Sequence, residues 1–161
     1  MLSNDLNQDI TPYLIHDTPM LLLEKLIMAT DQEGICEVKV ASDGILAPFL
    51  DENSALPAWF GLELMAQTIG AWNGWHGAKQ QQTPKLGLLL GCRNFKTDLA
   101  AFPTQSLLSI YINKLFQDES LASFNCYIKI NNCIVSSARL NVYQPNNQEL
   151  KKILKENSNA K

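Results

Sequence analysis

Along the chain, apolar positions follow two regimes: short runs that alternate with polar residues, and one long run that does not alternate. In "GICEVKVAS" (34–42), Cys36, Val38 and Val40 alternate with Ile35, Glu37 and Lys39, the period of two expected of a half-buried strand. "MLLLEKLIMAT" (20–30) predicts a strand before it, and four further runs predict strands over 86–97, 105–116, 121–130 and 133–143. Phe124, Cys126, Ile128 and Ile130 are expected on one face, and Ile134, Ala138, Leu140 and Val142 likewise in the next strand. "INNCI" between these runs, and "QDES" (117–120) one step earlier, have the polar brevity of hairpin connections.

The non-alternating run is "LPAWFGLELMAQTIGAWNGW" (56–75), too long for an ordinary strand, and it predicts a helix from about Pro57 to Trp75. Pro57 suits a first helical position, and Gly74 and Gly77 suit an end. Leu56, Ala58, Trp59, Leu62, Leu64, Met65, Ile69 and Ala71 point all round the axis, which implies a helix enclosed by the rest of the fold. Two strands, one long helix and a meander of four predict an α+β domain in which one antiparallel sheet wraps around a central helix. No repeat or linker divides the chain, so residues 1–161 are expected to form a single domain with a core over about 10–145. Residues 146–161 read as a short amphipathic helix, its lysines a solvated face, and a disordered tail.

Glu63 is the single acid of the long run. An acid enclosed there would be held in its neutral form, which is what a general acid needs, and Gln67 lies four residues on, within reach to orient it. The alternative is a structural acid satisfied by a distant arginine or by the backbone. Glu63, Gln67 and Asn73 also make the run a poor membrane span.

Composition narrows the function classes. The chain of 161 residues is 46% hydrophobic and 18% charged, with net charge -3 and pI near 5.3. That balance supplies no basic footprint for nucleic acid and disfavours adhesion to an anionic membrane. Cys36, Cys92, Cys126 and Cys133 form no CxxC pair, and His16 and His76 are the only histidines, so no metal site is expected. Free thiols and the polar, acidic start "MLSNDLNQDI" point to a reducing, cytoplasmic setting.

Several stretches resemble the hotdog-fold 3-hydroxyacyl-[acyl-carrier-protein] dehydratases of the FabZ type. "YLIHDTPMLLLEKL" is similar to their opening "PHRYPFLLVDRV", and "NFKTDLAAFPTQSLLSI" to their "ARFRRPVVPGDQLRL", with Pro103 on the PGD turn. "LPAWFGLELMAQTIG" resembles their helix "MPGVLILEALAQAAG", with Pro57, Glu63, Ala66 and Gln67 in matching positions. "HDTPMLLLEK", "GILAPFLDE", "LLLGCRNF", "QDESLASF" and "ARLNVYQP" carry a closer resemblance to the ApeP-like branch, associated with aryl-polyene synthesis.

The resemblance implies dehydration of a 3-hydroxyacyl thioester carried on the phosphopantetheine of acyl carrier protein, with no resident cofactor. It also implies a homodimer or a heterodimer with a second dehydratase. One departure stands out: FabZ-type enzymes carry a catalytic histidine in a "GHFPG" loop, and the matching position here is Phe49. His76 lies too far along the helix from Glu63, which leaves His16 as the candidate base, Glu63 as the acid and Gln67 as its orienting residue. Backbone N–H groups near Ala58 to Phe60 are expected to stabilise enolate charge. Trp59, Phe60, Met65 and Trp72 are candidates for an acyl channel. A hotdog thioesterase, or a non-catalytic subunit of a heterodimeric dehydratase, are the competing readings. Lys85, Arg93, Lys96 and Arg139 are the cations near strand ends, and none clusters in sequence.

Overall fold

The computed structural model describes residues 5–14, 21–81, 88–143 and the isolated positions 152, 155 and 156. In chain order these residues form β1 (Asp5–Asp9), a 3-10 turn (Thr11–Tyr13), β2 (Lys25–Ala29), β3 (Glu33–Lys39), a second 3-10 turn (Ala47–Phe49) and β4 (Leu56–Pro57). There follow α1 (Phe60–Lys79), β5 (Leu88–Thr97), β6 (Ala101–Phe102), β7 (Leu107–Gln117), β8 (Leu121–Ile130) and β9 (Cys133–Tyr143). Seven strands make one antiparallel sheet in the order β1-β2-β3-β7-β8-β9-β5, and β4 and β6 form a separate two-stranded ribbon.

The alternation read in the sequence sets which face meets the helix. Cys36 and Val38 of β3, Leu108, Ile110 and Ile112 of β7, and Phe124, Cys126 and Ile128 of β8 are buried together with Leu64, Met65, Ile69 and Trp72 of α1. One long helix against one antiparallel sheet is the hotdog arrangement. The β8–β9 connection is tight as expected: Asn131 and Asn132 have φ of 51° and 65°, and two consecutive left-handed residues match the right-handed strand twist. Ile134 departs from its expected face. A register shift after Ile128 pairs Ile134 with Lys129 on the outer face, leaving Ile134 exposed while Ser136, Ala138 and Leu140 point inward.

The helix is displaced from its expected span, running Phe60–Lys79 rather than Pro57–Trp75. At its start, Leu56 pairs with Phe102 and Pro57 with Ala101, and the Ala58 N–H bonds the Ala100 carbonyl at 3.0 Å, so this backbone is extended. At the other end, Gly74 continues the helix and serves a packing purpose. A Cβ there would lie 2.8 Å from the Tyr13 carbonyl carbon and closer still to its oxygen, so the first 3-10 turn can lie directly on the helix.

β1 and the ribbon were not expected. "DLNQD" has one apolar residue, too little for an alternation signal, and its pairing with β2 is broken by an irregularity that includes Asn7 at φ 45°. The helix and tail expected over 146–161 lie outside the described residues except at 152, 155 and 156.

Candidate active site

Glu63 stands in the first turn of α1 and is half-buried rather than enclosed. Gln67, one turn on, is 1% exposed. Its amide nitrogen donates to Glu63 Oε1 at 3.1 Å, and its carbonyl oxygen accepts the Leu22 N–H at 2.9 Å. A buried amide is tolerated when both its ends are bonded, and here they join the carboxyl to the backbone just before β2. Leu21, Leu22 and Leu23 are buried but outside the ladder, so the Leu22 N–H is available to the helix. The sequence placed Glu63 and Gln67 together; the link to Leu22 depends on the β2 register and had no sequence signal.

At the helix start Trp59 is 68% exposed and stacks on Phe60 with ring centroids 6.0 Å apart. Phe60 meets Phe49 at 5.4 Å, so the position that holds a histidine in the FabZ pattern here supports an aromatic wall. Of the amides expected to be open, that of Ala58 is used by Ala100, while Trp59 and Phe60 have no backbone acceptor among the described residues. These two stand at the positive end of the helix dipole. Ala58 is buried beside them. Met65 is wholly enclosed in the core and offers this chain no open surface.

The histidines divide. His76 Nε2 lies 2.9 Å from the Thr30 carbonyl, and the Trp72 Nε1–H donates to the same oxygen at 2.7 Å. A carbonyl only accepts, which assigns the proton to His76 Nε2. Trp72 also packs edge-on against Phe124 at 5.5 Å, a core role rather than a channel wall. His16 falls on residues 15–20, outside the described residues. On one side of that segment, Leu14 reaches Gly70 so closely that a Cβ would lie 3.1 Å from its Cδ2; on the other, Leu22 is bonded to Gln67.

The buried thiols are poor nucleophiles. Burial pushes Cys36 up to about 12, a rise only partly offset by a hydrogen bond with Thr68. Cys126 is raised further by burial and by the nearby Cys92.

Fold and site together define a hotdog protein with an acid–amide pair on its central helix. The family model of ApeP-like proteins, described as ApeP dehydratase, matches residues 8–155, and the chain belongs to this dehydratase family. A chain of the dehydratase heterocomplex ApeI:P from Xenorhabdus doucetiae is 41% identical, with a TM-score of 0.86 over 91% of this chain and 97% of that one. More distant structures share the fold alone. A mutant of the phenylacetic acid degradation protein PaaI from Thermus thermophilus is 12% identical, with a TM-score of 0.56 over 75% of this chain and 92% of that one. A hypothetical thioesterase with coenzyme A from Streptococcus pneumoniae is 15% identical, with a TM-score of 0.57 over 74% of this chain and 86% of that one. No match was found among the curated proteins. Among the described residues no helix is long and apolar enough to cross a membrane.

Proposed function

We propose that this dehydratase removes water from a 3-hydroxyacyl thioester on acyl carrier protein to give the trans-2-enoyl thioester, paired with a second dehydratase subunit. The observation that carries the reading is the Glu63 carboxyl held by Gln67 at 3.1 Å beside the open helix start. In the reaction a base takes the proton from the carbon next to the thioester carbonyl. The acid form of Glu63 gives a proton to the departing hydroxyl, which leaves as water. Negative charge developing on the thioester oxygen is met by the Trp59 and Phe60 amides at the positive helix end. The candidate base is His16, because the residues flanking its segment are fastened to the helix at Gly70 and Gln67, one to two turns from Glu63. Trp59 and Phe60 form one wall for the acyl chain, and the phosphopantetheine arm arrives with the carrier, so no resident cofactor is needed. The pairing with a second dehydratase draws on the 41% identical chain, whose complex is named a dehydratase heterocomplex.

The test is intact-mass analysis of 3-hydroxyacyl carrier protein incubated with the chain alone and with a second dehydratase of the ApeI type. Loss of one water supports the reading, and a rate that needs the second subunit supports the pairing. Release of the whole acyl group, or an unchanged mass in both mixtures, contradicts it.

A further inference from the structure

The two edges of the sheet differ in length and charge. β1, at one edge, has five residues and an irregular register. β5, at the other, has ten residues, contains no proline, and exposes Leu89 and Leu90 at 46% and 58%. Such an edge is a ready template for another strand. Its charges are unusual: β8, β9 and β5 are consecutive in the sheet and carry Lys129, Arg139, Arg93 and Lys96 but no carboxylate. The opposite flank carries Asp9, Glu33 and Glu37 against Lys25 and Lys39. The protein as a whole has net charge -3, so the cations are segregated.

The register sharpens the point. Arg93 lies directly opposite Arg139, an arrangement of like charges that weakens a strand pair. Lys96 pairs with Ser137, two residues from Arg139 on the same face. Arg93, Lys96 and Arg139 have no carboxylate partner among the described residues. Antiparallel self-pairing of β5 about a two-fold axis would bring this group against its own copy.

We propose that Arg93, Lys96 and Arg139 make the β5 edge reject a second copy of this chain and accept a partner strand that carries carboxylates. The inference rests on the reading of the chain as one subunit of a two-dehydratase complex and names what selects the partner. Leu89 and Leu90 supply the apolar contact, and the arginines decide whose contact it is.

Sedimentation velocity on the whole chain tests this with the wild type, the pair Arg93→Gln/Arg139→Gln and the pair Arg93→Lys/Arg139→Lys. Each is measured alone and with a second dehydratase of the ApeI type, in dilute and concentrated salt. Self-association of the Gln pair should be about tenfold tighter than wild type, the gap closing in concentrated salt, and its binding to the second dehydratase about tenfold weaker. The Lys pair, which keeps the charge, should follow the wild type, and thermal melts check that all three fold. A wild-type homodimer as tight as that of the Gln pair overturns the proposal. So does a raised KM for carrier protein with assembly unchanged, which would assign the arginines to the carrier. Failure of the wild type to bind any second dehydratase would overturn the two-subunit reading, while the self-association comparison would still decide the charge claim.

Discussion

The two halves of the central helix make the same kind of bond to opposite ends of β2, with different results. Near the start, Gln67 takes the Leu22 N–H ahead of the strand and holds Glu63 with its other end. Near the finish, Trp72 and His76 both address the Thr30 carbonyl behind the strand. Thr30 is itself fixed, its N–H bonded to the Glu33 carbonyl and its hydroxyl accepting from Gln32 and Glu33. One half thus orients a half-buried acid beside an open helix end; the other spends a histidine on a turn. The histidine is tied to a backbone carbonyl, whereas the buried amide, bonded at both ends, positions a group other than itself.

Substitutions can break this contrast, beginning with the largest effect. Gly74→Ala forces a Cβ into the Tyr13 carbonyl, and since backbone must move, we expect a loss on the order of 3 kcal/mol, read as a fall in the denaturation midpoint. Gln67→Leu leaves the buried Leu22 N–H without its acceptor and removes the amide bond to Glu63. Stability should fall by about 2 kcal/mol and the dehydration rate roughly tenfold or more, so both readouts move. His76→Phe should cost only about 1 kcal/mol with the rate unchanged within about twofold, because Trp72 keeps the Thr30 bond. A tenfold rate loss for His76→Phe would put chemistry in the second half and end the contrast.

A separate effect appears only at alkaline pH. The thiols of Cys36 and Cys126 lie above the ordinary 9.0 in the folded chain, so folding favours their protonated forms. Their contribution to stability is complete below 9.0 and declines as pH rises through the window toward about 12 for Cys36. Denaturation midpoints taken from about pH 8 to about pH 11 should fall across that window, and Cys36→Ser should shallow the slope. Thiol labelling of the folded chain should reach the exposed Cys92 and Cys133 and spare Cys36 and Cys126.

Much of this was legible because periodicity and burial report one physical fact. Strands β8 and β9 begin and end where their apolar runs do, and the enclosed helix announced itself by lacking a polar face. Its boundaries were misread because Pro57 and Gly74 are ambiguous locally. Proline also suits a ribbon edge, and glycine also suits a close approach; only the partners, Ala101 and Tyr13, decide. In the site, the four-residue spacing of Glu63 and Gln67 was readable, but the bonds to Leu22 and Thr30 join residues more than forty positions apart. The opposition of Arg93 and Arg139 was hidden for the same reason, since strand register brings together residues from β5 and β9.

The most direct test compares Glu63→Gln and His76→Phe in one dehydration assay on 3-hydroxyacyl carrier protein with the second subunit present. We expect Glu63→Gln to lose at least about a hundredfold in rate while melting near the wild type, and His76→Phe to retain its rate. Full activity in folded Glu63→Gln would contradict the assignment of the acid to the first half of the helix.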